Sequence, residues 1–224
     1  MPERAQARGS SPALGGSAVP RPGKIVCVGR NYLEHARELG NEVPDEPLLF
    51  LKPPSCVIGE GEAIVIPPFT SRVEYEGEIG LVVGARLRRA SPDEARRAVR
   101  AIAAVNDVTA RDLQKRDGQW TRAKGFDTFC PVGPLSGTVP PLDSLVVVTR
   151  VNGEERQRGR ASEMAFAIPV LLSYISHVMT LEPGDLVATG TPAGVGPLSA
   201  GDVVEVEVEG LSVVRNPVTV LPVD

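Results

Sequence analysis

Glu74, Glu76 and Glu78 alternate along residues 72–83, a stretch that begins as strict alternation and ends in an apolar, β-branched run. The pattern predicts a strand entering a core. Alternate residues of a strand share a face, so the three carboxylates point one way while Val73, Tyr75 and Gly77 point the other. At about 3.3 Å per residue, neighbouring carboxylates on that face lie roughly 7 Å apart. With an effective dielectric near 20, each such pair repels by roughly 2 kcal/mol. Water and salt screen this on a solvated face. An enclosed face needs positive charge between the carboxylates, and a divalent cation is the usual partner of all-oxygen ligands. Spacing alone leaves both readings open.

Other residues of chemical interest are scattered along the chain. His35 and Glu38 are three apart in a segment that reads as one or two helical turns closed by Gly40, so they share a face. They are either a carboxylate orienting an imidazole base or a surface pair. Asp107 stands where a buried strand turns into a loop, as a ligand or as a turn acid. Arg111 and Gln114 follow on one side of the next helical turn, where a cation and an amide could bind an anionic substrate. Lys124 opens a loop rich in Gly, Pro and aromatics. It could stabilise an oxyanion or bind a carboxylate, or it could snorkel at the surface. The loop over residues 190–196 (GTPAGVG) could offer backbone N–H groups to an anion but lacks the Gly-Lys-Ser/Thr of a P-loop. His177, near the end of an apolar helix, reads as an end-cap.

The elements that must position these residues are short. A strand is expected over residues 24–28, a strand pair turned at Gly59-Glu60-Gly61 over 56–68, and a buried strand over 101–108. Ser91-Pro92-Asp93-Glu94 is a helix start, with Ser91 as N-cap and Glu94 closing a capping box, on a helix reaching about Val99 or Ala101. Asn152-Gly153 marks a hairpin. A helix is expected over 168–179, followed by strands over 184–189 and 203–209 and a last hairpin ending near Val218. Residues 1–22 lack periodicity and read as a mobile tail, which leaves residues 23–224 as a single catalytic domain. The tail is Arg-rich with one acid, so a mitochondrial address is the alternative to a cytoplasmic location.

A chain of 224 residues suits one domain with a sizeable core. A net charge of −4 with no basic block argues against a nucleic-acid partner. Nothing approaches the roughly 18 consecutive apolar residues of a membrane span. Cys27, Cys56 and Cys130 are far apart and form no CxxC pair, which suits reduced thiols in the cytosol.

Six stretches in order, GRNYLEHARELG, FLKPPS, VEYEGEIGLVV, VNDVTARDLQ, KGFDTFCPVGP and GDLVATGTPAGVG, resemble the fumarylacetoacetate hydrolase superfamily in its short acylpyruvate hydrolase branch. They span about residues 24–218. The resemblance implies an α+β, mainly β fold, a mixed β-roll with a few short helices, usually found as a homodimer. It implies a Mg²⁺ or Mn²⁺ site held by Glu76, Glu78 and Asp107, with Glu74 as a flanking acid. His35 and Glu38 would be a catalytic dyad on a lid, with Lys124 as a further catalytic group. Arg111, Gln114 and Thr191 would contact a small-molecule 2-oxo acid. Gly77 departs from the apolar β-branched residue that relatives often carry, and the expected consequence is one of packing rather than ligation.

The activity this implies is metal-dependent hydrolysis of a carbon–carbon bond in an acylpyruvate such as fumarylpyruvate. His35, held by Glu38, would activate water, while Lys124 stabilises the oxyanion. The same enolate chemistry without an attacking water would give oxaloacetate decarboxylation or isomerisation of a hydroxymuconate-type diacid. A non-catalytic, metal-stabilised binding protein is a third reading.

Overall fold

A computed structural model describes residues 21–32 and 44–221. His35 and Glu38, with the helical turns expected around them, lie outside the described residues, as does nearly all of the N-terminal tail. In chain order the elements are β1 (Ile25–Gly29), β2 (Leu48–Lys52), β3 (Val57–Ile58), β4 (Ile64–Ile66), β5 (Val73–Tyr75), β6 (Gly77–Val83) and helix α1 (Pro92–Arg97). There follow β7 (Val99–Asn106), β8 (Thr109–Ala110), α2 (Arg111–Asp117), α3 (Thr121–Lys124), β9 (Cys130–Pro131), β10 (Val146–Val151) and β11 (Glu154–Arg160). The chain closes with α4 (Ile168–Val178), β12 (Leu186–Ala188), β13 (Gly196–Pro197), β14 (Val203–Val208) and β15 (Ser212–Val220).

Two five-stranded sheets carry the fold, in the orders β2-β1-β12-β6-β7 and β11-β10-β14-β15-β4. Small sheets β13-β5-β8 and β3-β9 complete it. Three pairings (β1 with β12, β15 with β4, β3 with β9) are parallel and the others antiparallel. The architecture is thus the α+β, mainly β, mixed arrangement that the resemblance implies. The main core lies between the large sheets: Val26, Ile79, Leu81 and Ile102 of one meet Val147, Val206, Val208 and Val214 of the other, with Leu171, Leu172 and Ile175 of α4. On the opposite face of the first sheet, Cys27, Val82, Ala103 and Ala188 pack with Cys56 and Cys130. A strand covered on both faces reads as a continuous apolar run, as the end of β6 does. All three cysteines are buried thiols. No described helix is long and apolar enough to cross a membrane.

Local signals placed several elements. Ser91 accepts from the Glu94 N–H, and the Glu94 carboxylate reaches back to the Ser91 N–H, so the capping box forms as expected. The helix nevertheless ends at Arg97 rather than Val99, because Val99 starts β7 and its ladder with β6 takes over the backbone. Asn152 and Gly153 both adopt positive φ, 53° and 82°, as a type I′ turn between β10 and β11 requires. The strand pair expected over 56–68 does not form. The segments β3 and β4 exist, but β3 pairs with β9 and β4 with β15, each finding a partner distant in sequence. The single strand expected over 72–83 is broken at Glu76 into β5 and β6.

Gly77 follows that break. A Cβ built there would lie 1.9 Å from Thr149 Oγ1 and 3.3 Å from Val206 Cγ1. A side chain at this position therefore requires Thr149 to shift. Gly77→Ala is expected to lower unfolding free energy by about 1–3 kcal/mol through overpacking. The double variant G77A/T149A should recover most of that loss in urea unfolding. A single G77A variant as stable as the parent would refute the fit.

Candidate active site

The carboxylates assemble through strand register. β6 and β7 run antiparallel with Gly77 opposite Asn106, so Glu76 falls opposite Asp107, one residue beyond each. The break at Glu76 is stabilised from the same strand. Its N–H donates to Asn106 Oδ1 at 3.0 Å, and its carbonyl accepts from the Asp107 N–H at 2.8 Å. Glu76, Glu78 and Asp107 then bring carboxylate oxygens within 4.8 Å of one another. The face is enclosed rather than solvated: Glu74, Glu76, Glu78 and Asp107 are 2%, 6%, 1% and 1% exposed.

Burying four carboxylates demands compensating cations. Lys124 Nζ donates to Glu76 Oε2 at 2.8 Å and Asp107 Oδ2 at 2.6 Å. Lys52 Nζ donates to Asp107 Oδ1 at 2.6 Å and to the Val108 carbonyl at 3.3 Å. Arg111 uses all three nitrogens, Nε to Glu74 at 2.7 Å, one terminal nitrogen to Glu76 at 2.6 Å and the other to Gln114 Oε1 at 2.6 Å. Burial alone would push the Lys124 ammonium down, but Asp107 and Glu76 more than offset this and hold it above its ordinary value. Glu78 differs. Among the described residues it has no ion pair, and Gly190 of the Gly-rich loop donates its N–H to Glu78 Oε2 at 2.8 Å. Burial, together with the charges of Asp107 and Glu76, pushes its carboxyl well above the ordinary 4.5.

Among the described residues, four buried carboxylates thus face three buried cations, Lys52, Lys124 and Arg111, with the exposed Arg72 also paired to Glu74. Glu78 is the member of this group with no ion pair among the described residues. Oxygens bound to one cation at about 2.1–2.5 Å lie at most about 5 Å apart, so the cluster's spacing and its all-oxygen donor set fit a hard divalent ion. The residues that could hold it are the three implied by the resemblance.

Glu76, Glu78, Arg111, Gln114, Lys124 and Thr191 all border one cavity of about 330 Å³. Its walls include Val28, Phe50 and Trp120. Trp120 stands edge-on to Phe50, with ring centroids 5.1 Å apart, and Lys124 Nζ lies 5.0 Å from the Phe50 ring centroid. Gly29 leaves room for Trp120, because a Cβ there would meet its ring at 2.9 Å. Thr191 is held by Gln157, which donates to Thr191 Oγ1 and the Pro192 carbonyl, each at 2.8 Å, while its Oε1 accepts from the Gly77 N–H at 3.0 Å. His177 is exposed at the end of α4, with Nδ1 2.9 Å from the Ser173 carbonyl, the end-cap position expected.

Over residues 24–219 the sequence matches the fumarylacetoacetate (FAA) hydrolase C-terminal family. The chain belongs to the fumarylacetoacetate hydrolase family. Oxaloacetate tautomerase YisK of Bacillus subtilis is 42% identical over 212 residues, covering 88% of this chain and 70% of that protein. The mitochondrial oxaloacetate tautomerase FAHD1 of Bos taurus is 42% identical over 193 residues, covering 84% of this chain and 87% of that one. Among solved structures, 5-carboxymethyl-2-hydroxymuconate delta-isomerase from Mycobacterium smegmatis superposes with a TM-score of 0.84 at 42% identity, over 91% of this chain and 81% of that one.

Several residues of this family site were not singled out as site residues by sequence reasoning. Lys52 lies in FLKPPS, yet nothing in that motif says that its ammonium reaches Asp107, 55 residues away. Gln157 sits on β11 beyond a hairpin and looks like any strand glutamine. Arg30, Lys115 and Trp120 border the cavity only because β1, α2 and the turn into α3 converge on it. The scarcity of lysine, four in the whole chain, was the one available signal for Lys52 and Lys115.

Proposed function

We propose that the cavity binds an enolisable 2-oxo acid and catalyses proton transfer between its keto and enol forms or between positions of its conjugated enol. The observation that carries this is the buried carboxylate triad with Lys124 fixed across two of its members at the cavity floor. The relatives' names, oxaloacetate tautomerase and hydroxymuconate isomerase, support isomerisation of a 2-oxo diacid better than the acylpyruvate hydrolysis expected from the sequence.

Glu76, Glu78 and Asp107 would hold Mg²⁺ or Mn²⁺, which when bound supplies Lewis acidity to a 2-oxo group. The chain's own groups do the rest. The Lys124 ammonium is a fixed positive charge beside the floor, where negative charge grows on the substrate oxygen as C3 loses its proton. In a dry site it need not reorganise to meet that charge. Gln114, its Oε1 held by Arg111, presents its amide N–H groups to a substrate carboxylate, and the Thr191 hydroxyl is positioned by Gln157 on the other side. His35, with Glu38 three residues on, is the group best suited to carrying the C3 proton, and His35 must be neutral to accept it.

The test is to offer purified protein with Mg²⁺ the enol form of oxaloacetate, hydroxymuconate-type diacids and a panel of acylpyruvates. Accelerated loss of the enol chromophore or a shifted double bond is expected, with acylpyruvates yielding little pyruvate. Rapid pyruvate release with no tautomerisation would replace this reading with hydrolysis. His35→Ala should abolish either activity, while metal-driven decarboxylation survives it.

A further inference from the structure

The cations at the floor of the cavity are already committed. Lys124 spans Glu76 and Asp107, and Arg111 donates from each of its nitrogens to Glu74, Glu76 and Gln114. Lys52 faces Asp107 from behind and does not border the cavity. Two further cations do border it. Arg30 is half-buried just after β1, and Lys115 is exposed on α2, four residues beyond Arg111 and so on the same helix face. Neither makes an ion pair or a side-chain hydrogen bond among the described residues. The same cavity is also lined by the aliphatic and aromatic side chains of Val28, Phe50 and Trp120.

We infer that Arg30 and Lys115 form a second, cationic subsite at the cavity mouth that receives the distal carboxylate of a dicarboxylic 2-oxo acid, selecting diacids over monoacids. The inference rests on the 2-oxo acid reading above and names the two residues that set diacid selectivity within it. A 2-oxo acid engaged at the floor by its carboxylate end directs its remaining carbons outward past Phe50 and Trp120. A far end without charge would meet the apolar wall and leave both cations unpaired. A carboxylate there meets two cations that have no partner among the described residues. Lys115 is four residues from Arg111, so a single helix face carries both the floor group and the mouth group and sets the spacing between them.

The experiment is calorimetric titration, in the presence of Mg²⁺, with D-malate and D-lactate, which share a 2-hydroxy acid head and differ in the distal carboxylate. The parent protein should prefer malate by about tenfold or more, since two charge contacts of roughly threefold each or better combine at a partly dry mouth. Lys115→Met should cut the preference to about threefold, Lys115→Arg should retain it, and R30M/K115M should bring it near unity. Raising the ionic strength should shrink it, as expected for an exposed ion pair. Equal binding of malate and lactate by the parent, or a preference untouched in the double variant, overturns the subsite. Oxaloacetate tautomerisation measured on the same preparations separates the two claims. A malate preference without turnover removes the catalytic reading and supports the subsite, whereas turnover without the preference does the reverse.

Discussion

Replacing Glu78 by Gln should stabilise the metal-free protein and, in the same step, abolish its stabilisation by Mg²⁺ or Mn²⁺ and its activity. Glu78 has no cation paired with it among the described residues and shares a 4.8 Å cluster with Glu76 and Asp107. Two unit charges about 5 Å apart repel by about 3 kcal/mol at an effective dielectric near 20, and the neighbouring lysines screen part of this. A gain of about 1–3 kcal/mol in unfolding free energy is therefore expected above neutral pH in chelator. The pH dependence has a definite sign. The folded carboxyl is raised above 4.5 by burial and by Asp107 and Glu76, so between 4.5 and its folded value the native state binds more protons than the unfolded state. Parent stability then falls as pH rises through that window. The Gln variant lacks this loss, and the two curves should meet below pH 4.5. Added metal should stabilise the parent by mass action and leave the variant unmoved. A variant less stable at every pH and still stabilised by metal like the parent would rule out this assignment of Glu78.

Lys124→Met should be the most destabilising single change in the site. The ammonium is 1% exposed and bridges Glu76 and Asp107, so its removal leaves two buried carboxylates short of a partner. Breaking a buried pair from one side costs about 3–5 kcal/mol, a large share of the roughly 5–15 kcal/mol that holds a domain folded. Activity should fall at least about 100-fold, because a preorganised positive charge at the reacting oxygen is lost. Denaturant unfolding and the tautomerase assay read the two effects separately. A loss below about 1 kcal/mol with intact turnover would show that Lys124 is a spectator. Methionine fills most of the same volume, so packing changes do not dominate the comparison.

The sequence by itself determined the family of this chain and most of the local punctuation of its fold. The acids at 74, 76 and 78, Asp107 at a strand end, the capping box at Ser91 and the Asn152-Gly153 turn are each readable because their physical cause lies within a few residues. A local alternation cannot say whether its face is wet. That was decided when β7 paired with β6, which placed Asp107 opposite Glu76, and when α2, α3 and β2 delivered Arg111, Lys124 and Lys52 to the same point. Tertiary contacts also overrode local expectation. The 56–68 hairpin gave way to β3 with β9 and β4 with β15, and the long strand broke at Glu76, where Asn106 takes the backbone N–H. Enclosure and charge balance depend on partners up to 112 residues apart in sequence, and only the folded chain brings those partners within hydrogen-bonding distance.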